Sequence, residues 1–204
     1  MEEFAENKKM DKSDITLRIA KIEDAPNLLK IYFYYVQNTA ISFEWEVPTL
    51  QEFSDRIQTT LKKYPYLVAE ITENNKQRII GYAYAGAFKT RAAYEWAVET
   101  SIYVDKNFRR AGVGKLLLEN LEKLLQKQNI LNINACIAFT EKENQYLTND
   151  SCHFHKKMGY SLVGTFHKCG YKFGQWFDMI WMEKIIGSHI QNQPKVQAFN
   201  FGQP

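Results

Sequence analysis

Phe108-Arg109-Arg110-Ala111-Gly112-Val113-Gly114-Lys115 is the stretch that decides the fold of this chain, because it carries a strand into a helix. An extended, apolar-rich segment ends before it at Val104. After it, apolar residues follow the i, i+3, i+4 stripe of an amphipathic helix, at Val113, Leu116, Leu117, Leu121, Leu124 and Leu125. The two glycines allow a tight turn and bring backbone N–H groups close to a ligand, where the helix N-terminus adds partial positive charge. The stretch therefore predicts a phosphate-binding turn.

Three full positive charges, on Arg109, Arg110 and Lys115, make a pyrophosphate the expected ligand of this turn. The spacing excludes the two commonest phosphate loops, because it lacks the third glycine of the dinucleotide fingerprint and the long glycine-to-Gly-Lys-Ser/Thr spacing of the P-loop. It fits Arg/Gln-x-x-Gly-x-Gly/Ala. Taken alone, so short a pattern also fits an ordinary basic turn in front of a surface helix, so the flanking residues must decide.

The composition indicates one globular domain. The chain has 204 residues, of which 45% are apolar and 24% are charged, and its net charge of +3 is too small to indicate a nucleic-acid-binding protein. Three cysteines, an odd number without metal-ligand spacing, favour the reducing cytoplasm. The sequence shows neither a signal-peptide core nor an apolar run of transmembrane length, so no membrane association is expected.

The expected organisation is a loose leader at residues 1–14, a single domain at 15–186 and a flexible tail at 187–204, where Gln, Asn, Pro and Ser prevail. Strands are predicted at 15–20, 66–71, 78–87, 94–104, 133–139, 161–167 and 176–184, with hairpin turns at 73–76 and 168–171. Helices are predicted after Asp24, after Thr49 with Glu52 completing a capping box, after the glycine turn, and over 151–158. This order implies an α/β fold, a mixed sheet of about seven strands with about four helices on both faces.

Four stretches of the chain, 85–104, 108–115, 148–160 and 171–178, resemble the GNAT superfamily of N-acetyltransferases. Within it, the phosphinothricin and methionine sulfoximine N-acetyltransferases are the most similar, and the resemblance covers residues 16–184. It implies acetyl-CoA as co-substrate, no metal, and a homodimer. The residues that it assigns to acetyl-CoA are Ile102, Tyr103, Val104, Arg109, Arg110, Ala111, Gly112, Val113, Gly114, Lys115, Asn149 and Ser151.

Glu99, Val104 and His155 are the expected catalytic residues. The resemblance makes Glu99 the general base that deprotonates the amine, and burial should raise its pKa for that role. It lets the Val104 backbone N–H polarise the thioester carbonyl, and His155 protonate the departing thiolate. The alternatives are that Glu99 is a solvated or salt-bridged strand residue and that His155 merely packs on a short helix.

The acceptor is expected between Phe43 and the segment Arg91-Ala92-Ala93-Tyr94, close to Glu99. The Arg91 guanidinium can hold a carboxylate with two hydrogen bonds, which suits an amino-acid substrate. Phe43 resembles the aromatic wall of the family's acceptor site, although core packing would explain it as well. The loop 140–148 is longer than the family pattern.

The resemblance thus implies direct acetyl transfer to a small amino acid or analogue, such as phosphinothricin, methionine sulfoximine or methionine sulfone. Because none of the three cysteines lies in a nucleophile motif, a covalent acyl-enzyme is disfavoured. One alternative is the same fold acetylating a polyamine, an aminoglycoside or a protein N-terminus. The other is a non-catalytic acyl-CoA sensor.

Overall fold

The computed structural model, which describes residues 14–199, contains a seven-stranded mixed sheet and four α-helices. The strands are β1 (Ile15–Ile19), β2 (Tyr66–Glu73), β3 (Lys76–Ala87), β4 (Ala97–Val104), β5 (Asn132–Phe139), β6 (Ser161–Lys172) and β7 (Gln175–Ile185). The helices are α1 (Ala25–Asn38), α2 (Leu50–Leu61), α3 (Val113–Lys127) and α4 (Asp150–Lys157). The strand order is β1-β2-β3-β4-β5-β7-β6. The predicted α/β architecture is confirmed.

Helices cover both faces of the sheet. On one face, Leu28 of α1 and Ile57 of α2 are fully buried against Tyr82 of β3. On the other, Leu117 of α3 packs with Ile133 of β5. We call these the α1/α2 face and the α3 face. The amphipathic stripes of the helices thus build two hydrophobic layers, with the sheet between them.

An opening separates β4 from β5, and it lies in the middle of the sheet. The two strands run parallel and pair at Ala97 with Asn132, at Val98 with Ile133, and at Glu99 with Asn134. Both strands continue past this point, β4 to Val104, but the ladder among the described residues stops there. Segments 100–103 of β4 and 135–138 of β5 pair with β3 and β7 but not with each other. They line a space of about 60 Å³ between them, which we call the β4–β5 gap.

The two predicted helix caps differ in outcome. The capping box of α2 is confirmed, since Glu52 N donates to Thr49 Oγ1 at 3.2 Å and Thr49 N donates to Glu52 Oε2 at 2.7 Å. Asp24 stands at the N-cap position of α1 without capping it. Its carboxylate instead accepts from Lys21 N at 2.7 Å and from both terminal nitrogens of Arg18 at 2.7 and 2.8 Å. Asp24 therefore links the start of α1 to Arg18 of the preceding strand β1.

Two predicted boundaries are wrong. The strand expected from residue 94 begins at Ala97, because Ala92–Tyr94 forms a 3-10 turn. The last hairpin turns at Phe173 and Gly174, with φ of 51° and 74°, and not at 168–171. Two central residues with positive φ match the twist of the flanking strands. The expected turn region instead lies in a bulge of β6, where the pairing shifts between Phe166 and Gly170.

The segment 187–199 carries no helix or strand but lies against the domain, whereas the composition predicted a flexible tail from residue 187. Trp96 Nε1 donates to Pro194 O at 2.7 Å. Gln197 N donates to Gln128 O at 2.9 Å, and Gln128 Nε2 returns a bond to Gln197 O at 3.0 Å. Residues 1–13 of the predicted leader and residues 200–204 lie outside the described residues.

Candidate active site

Glu99 lies half-buried on β4, at the last pair before the β4–β5 gap opens. Alternation along the strand places it on the α1/α2 face with Ser101 and Tyr103. Burial raises the pKa of its carboxyl group, and nearby Lys89 partly opposes that rise. Within residues 14–199, no hydrogen bond or ion pair engages this carboxylate. A carboxylate that has lost part of its hydration without gaining a hydrogen-bond partner is suited to accept a proton.

The edge of β4 that faces the gap offers backbone hydrogen-bonding groups. Asp105 N donates to Ile80 O on the β3 side at 2.8 Å, so strand alternation directs the N–H groups of Ile102 and Val104 to the opposite edge. Their side chains pack with the α3-face core, and the Tyr103 ring belongs to a tyrosine cluster on the α1/α2 face. These three residues therefore present backbone, and not side chains, to the gap.

Tyr35 of α1 covers the end of this edge, and the sequence analysis did not select it. Its hydroxyl donates to Val104 O at 2.5 Å and accepts from Val104 N at 3.4 Å. Its spacing of three residues from Tyr32 puts it on the buried stripe of α1, which was the available signal. That stripe predicts burial but not which backbone group the hydroxyl meets.

The glycine turn leaves backbone N–H groups free at the start of α3. Gly112 has φ of 88°, which favours glycine, and directly precedes α3. The first helical bond runs from Leu116 N to Gly112 O at 3.1 Å. The N–H groups of Val113, Gly114 and Lys115 therefore have no acceptor within the helix and are available at its N-terminus.

The cations of the turn lie at the surface around that N-terminus. The Arg109 guanidinium lies 5.1 Å from the Tyr35 ring centroid. Arg110, with φ of 61°, approaches Asp150 at 3.4 Å, and both side chains are exposed. Lys115 is 3.6 Å from Glu119, also at the surface. Ala111 and Val113 pack against the core instead, so only the backbone of these two residues faces a ligand.

His155 lines the β4–β5 gap from α4 and is only 4% exposed. Its Nδ1 lies 2.8 Å from the Ser151 carbonyl oxygen and donates to it, so Nε2 is an acceptor when the ring is neutral. Burial lowers the pKa of His155, while the bond to Ser151 opposes the change. The alternative of simple packing is partly realised, because the ring meets Tyr160 edge-on at 5.0 Å.

Asn149 and Ser151 flank the start of α4. The Asn149 side chain donates to Thr140 O at 2.8 Å and accepts from Thr140 N at 3.3 Å, which closes the long loop 140–148. It does not cap α4 with its side chain. Ser151 lines the gap and positions His155 through its carbonyl group.

The predicted acceptor residues are only partly brought together. Phe43 packs where a Cβ on Gly170 would overlap its ring, so β6 needs a glycine there. The Arg91 side chain is exposed and makes no hydrogen bond or ion pair within residues 14–199, while its carbonyl group accepts from Tyr94 N at 3.0 Å. Ala92 is exposed beside it, while Ala93 and Tyr94 line a large groove on the α1/α2 face.

Lys172 is a second residue that sequence reasoning missed. Its buried Nζ donates to the carbonyl groups of Val36, Thr39 and Ser42 at 2.8, 3.0 and 2.7 Å. Burial lowers its pKa to about 8, still above neutral, so the ammonium with three N–H donors meets three acceptors. Lys172 thereby ties the end of α1 and the loop that carries Phe43 to β6. The available signal was a lysine between two aromatic residues, Tyr171 and Phe173, in the predicted last hairpin.

No three His, Cys, Asp or Glu side chains group together as a metal site within residues 14–199. Nor does any helix in that part of the chain have the length and apolarity needed to cross a bilayer.

Sequence comparison identifies relatives over most of the chain. The model of the acetyltransferase (GNAT) domain family matches residues 17–181. A phosphinothricin N-acetyltransferase of Streptomyces viridochromogenes is 32% identical over 83% of this chain and 86% of its own length. An L-methionine sulfoximine/L-methionine sulfone acetyltransferase of Pseudomonas aeruginosa is 27% identical over 82% and 92%, respectively.

Structural comparison agrees. A phosphinothricin acetyltransferase of Sinorhizobium meliloti, solved in complex with acetyl-CoA, superimposes with a TM-score of 0.79 at 30% identity. The match covers 93% of this chain and 97% of the other. With a family match across nearly the whole sheet and its helices, the chain belongs to the GNAT acetyltransferase family and is an N-acetyltransferase.

Proposed function

We propose that this protein transfers the acetyl group of acetyl-CoA to the amine of a small amino acid or analogue. Phosphinothricin, methionine sulfoximine and methionine sulfone are the candidate acceptors. The observation that carries the proposal is Glu99, an unpaired and half-buried carboxylate at the last pair before the β4–β5 gap. The relatives named for these acceptors, and the acetyl-CoA complex of one of them, support it.

The residues around the gap fit acetyl-CoA. The free N–H groups at Val113, Gly114 and Lys115 suit its pyrophosphate, with Arg109 and Arg110 adding charge. The N–H groups of Ile102 and Val104 face the gap. That of Ile102 could donate to a pantetheine carbonyl as a neighbouring strand does, which leaves that of Val104 for the thioester carbonyl. In this proposed pose, the thioester would lie on the Glu99 side of the gap.

Direct transfer follows from these positions. Glu99 takes a proton from the acceptor ammonium, and the free amine forms the new C–N bond to the thioester carbon. The nitrogen of the tetrahedral adduct then loses its second proton to solvent, which leaves a neutral amide when the C–S bond breaks. The Val104 N–H stabilises the oxyanion, after which the C–S bond breaks. His155 donates the proton that the departing thiolate needs, and this requires the imidazolium form, because the neutral ring keeps its proton on Nδ1.

A thiol-release assay with acetyl-CoA and a panel of amines tests the proposal. We expect turnover with amino acids and their sulfone, sulfoximine or phosphinate analogues. Glu99→Gln should lower kcat about 10²- to 10⁴-fold and leave the Kd for acetyl-CoA unchanged. Glu23→Gln, an exposed glutamate on a distant turn, is the matched control. Turnover confined to polyamines would reject the acceptor class, and acetyl-CoA binding without any turnover would indicate a sensor.

We propose further that the protein forms a homodimer and that it is located in the cytoplasm. The resemblance to the family supports the first part, and three free cysteines support the second. Light scattering of the purified protein tests the dimer, and a monomeric mass at micromolar concentration would reject it.

A further inference from the structure

A groove of about 910 Å³ lies on the α1/α2 face, beside Glu99 and distinct from the β4–β5 gap. We propose that it is the acceptor subsite and that it selects amino acids whose side chain carries no charge and presents apolar carbon atoms. This inference rests on the proposed acetyl transfer and narrows its acceptor. The groove is lined by the segment between β3 and β4, by β6 and β7, and by the C-terminal segment.

The position of the groove relative to Glu99 follows from strand alternation. Ala97 and Ser101 flank Glu99 on the same face of β4, two residues to either side. Ala97 lines the groove, whereas Ser101 lines the gap. Asn134, the register partner of Glu99, also lines the groove. Glu99 therefore stands between the two spaces, so an amine in the groove and a thioester in the gap would meet at its carboxylate.

The floor of the groove is aromatic. The rings of Phe88 and Trp181 meet at 90° with centroids 5.4 Å apart. Lys89 Nζ lies 4.8 Å from the Phe88 centroid and 5.6 Å from that of Trp181. Val163 and Phe166 of β6 add apolar walls and are 59% and 56% exposed. Such a surface gains free energy by covering an apolar side chain.

The charges of the groove limit the acceptor to one carboxylate. Apart from His189, the acidic and basic side chains among its lining residues are the cation Lys89 and the anion Glu183. Lys89 lies near enough to Glu99 to influence its pKa, so it can hold an acceptor carboxylate while the amine meets Glu99. A phosphinate in the side chain would find no second cation and would share the groove with Glu183. The geometry thus favours methionine sulfone, phenylalanine or leucine over phosphinothricin or glutamate.

The C-terminal segment supplies the outer wall. His189, Ile190 and Gln193 line the groove. His189 Nε2 lies 2.8 Å from Asn132 Oδ1, and the Trp96 indole holds Pro194 at 2.7 Å. Ile190, which is 57% exposed, is therefore held in place over the groove and is the residue whose removal tests it.

The experiment compares Ile190→Ala with Leu162→Ala in the thiol-release assay. Leu162 is also a four-carbon side chain and 60% exposed, but it pairs with Met182, which lies in the α3-face core. We expect the wild type to show a higher kcat/KM for methionine sulfone and phenylalanine than for phosphinothricin. Ile190→Ala should raise KM for these two uncharged acceptors about 5-fold or more, with the KM for acetyl-CoA unchanged. Leu162→Ala should match the wild type.

The outcomes separate the two proposals. No thiol release with any amine, despite bound acetyl-CoA, rejects the acetyl transfer itself. Turnover that is best with phosphinothricin, or an unchanged acceptor KM in Ile190→Ala, rejects the groove alone. A lower mass of Ile190→Ala in light scattering, with the acceptor KM unchanged, also rejects it, because a second copy would then cover this surface. Equal melting temperatures of the two variants exclude a folding defect.

Discussion

The half-buried carboxylate of Glu99 should make the proposed general base more reactive and the folded protein less stable at neutral pH. Its native pKa lies above the 4.5 of an ordinary glutamate. The native state therefore binds more protons than the unfolded chain, and stability falls as pH rises through that raised pKa. Glu99→Gln removes this loss, so its melting temperature should exceed that of the wild type at neutral pH and approach it in acid. Thermal melting across this range measures the difference, and a variant that is less stable at neutral pH would contradict it.

The pH dependence of kcat/KM should also reflect the shifted pKa values of Glu99 and His155. A base acts only when deprotonated, so the rising limb of wild-type kcat/KM should lie above pH 4.5. His155 acts only when protonated, and its lowered pKa should move the falling limb below the 6.5 of an ordinary histidine. Removing His155 as in His155→Phe should abolish the falling limb. A falling limb that survives in the variant would assign the acid to another group.

Lys172 acts at the residue scale as a positioning residue. Lys172→Met leaves the carbonyl groups of Val36, Thr39 and Ser42 without their donor, which should cost about 2–4 kcal/mol of unfolding free energy. The loop that carries Phe43 should loosen, so the acceptor KM should rise while the KM for acetyl-CoA does not. Lys123→Met, at an exposed site on α3, is the control. Equal shifts in both KM values would indicate a general folding defect instead.

At the scale of elements, the glycine turn can be tested apart from the acceptor groove. Gly112→Ala places a Cβ at φ of 88° and should cost about 1–2 kcal/mol. It should also displace the N–H groups at the start of α3 and weaken acetyl-CoA binding, measured by calorimetry. Gly164→Ala is the control, since a Cβ there meets nothing within 4 Å. An unaltered Kd in Gly112→Ala would remove the turn from the binding site.

The elements best predicted from sequence were those fixed by local chemistry. The capping box at Thr49 and the turn before α3 depend on residues close in sequence, and both formed as expected. The turn expected at 168–171 failed because β6 continues to Lys172, whose partners lie at the end of α1 and in the loop that follows it, more than 100 residues away. No local pattern encodes such a contact. The same reason hid Tyr35, whose bond to Val104 links a helix to a distant strand.

For the whole molecule, the C-terminal segment is the main departure from the expected design. Its polar composition gave no reason to predict packing, yet Val196 packs on the core and Gln197 pairs with Gln128. Ending the chain after Gly187 should therefore lower the unfolding free energy by about 1–3 kcal/mol. Denaturant unfolding measures it, with a chain ending at 199 as control. If the truncated protein were as stable as the full chain, the contacts of Val196 and Gln197 would not contribute to the unfolding free energy.

Tyr35 has a consequence for how the enzyme parts with its spent cofactor. Its hydroxyl already bonds to the carbonyl group of Val104 and to the Val104 N–H, which the proposed mechanism needs for the thioester oxygen. Binding at that point would exchange one hydrogen bond for another, with little net gain. On release of the thiol product, the phenol would bond to Val104 again. The backbone groups of Val104 would then keep a hydrogen-bond partner throughout, so product release would not leave them unpaired. A tyrosine that stands in for the cofactor would thus favour rapid turnover over tight retention.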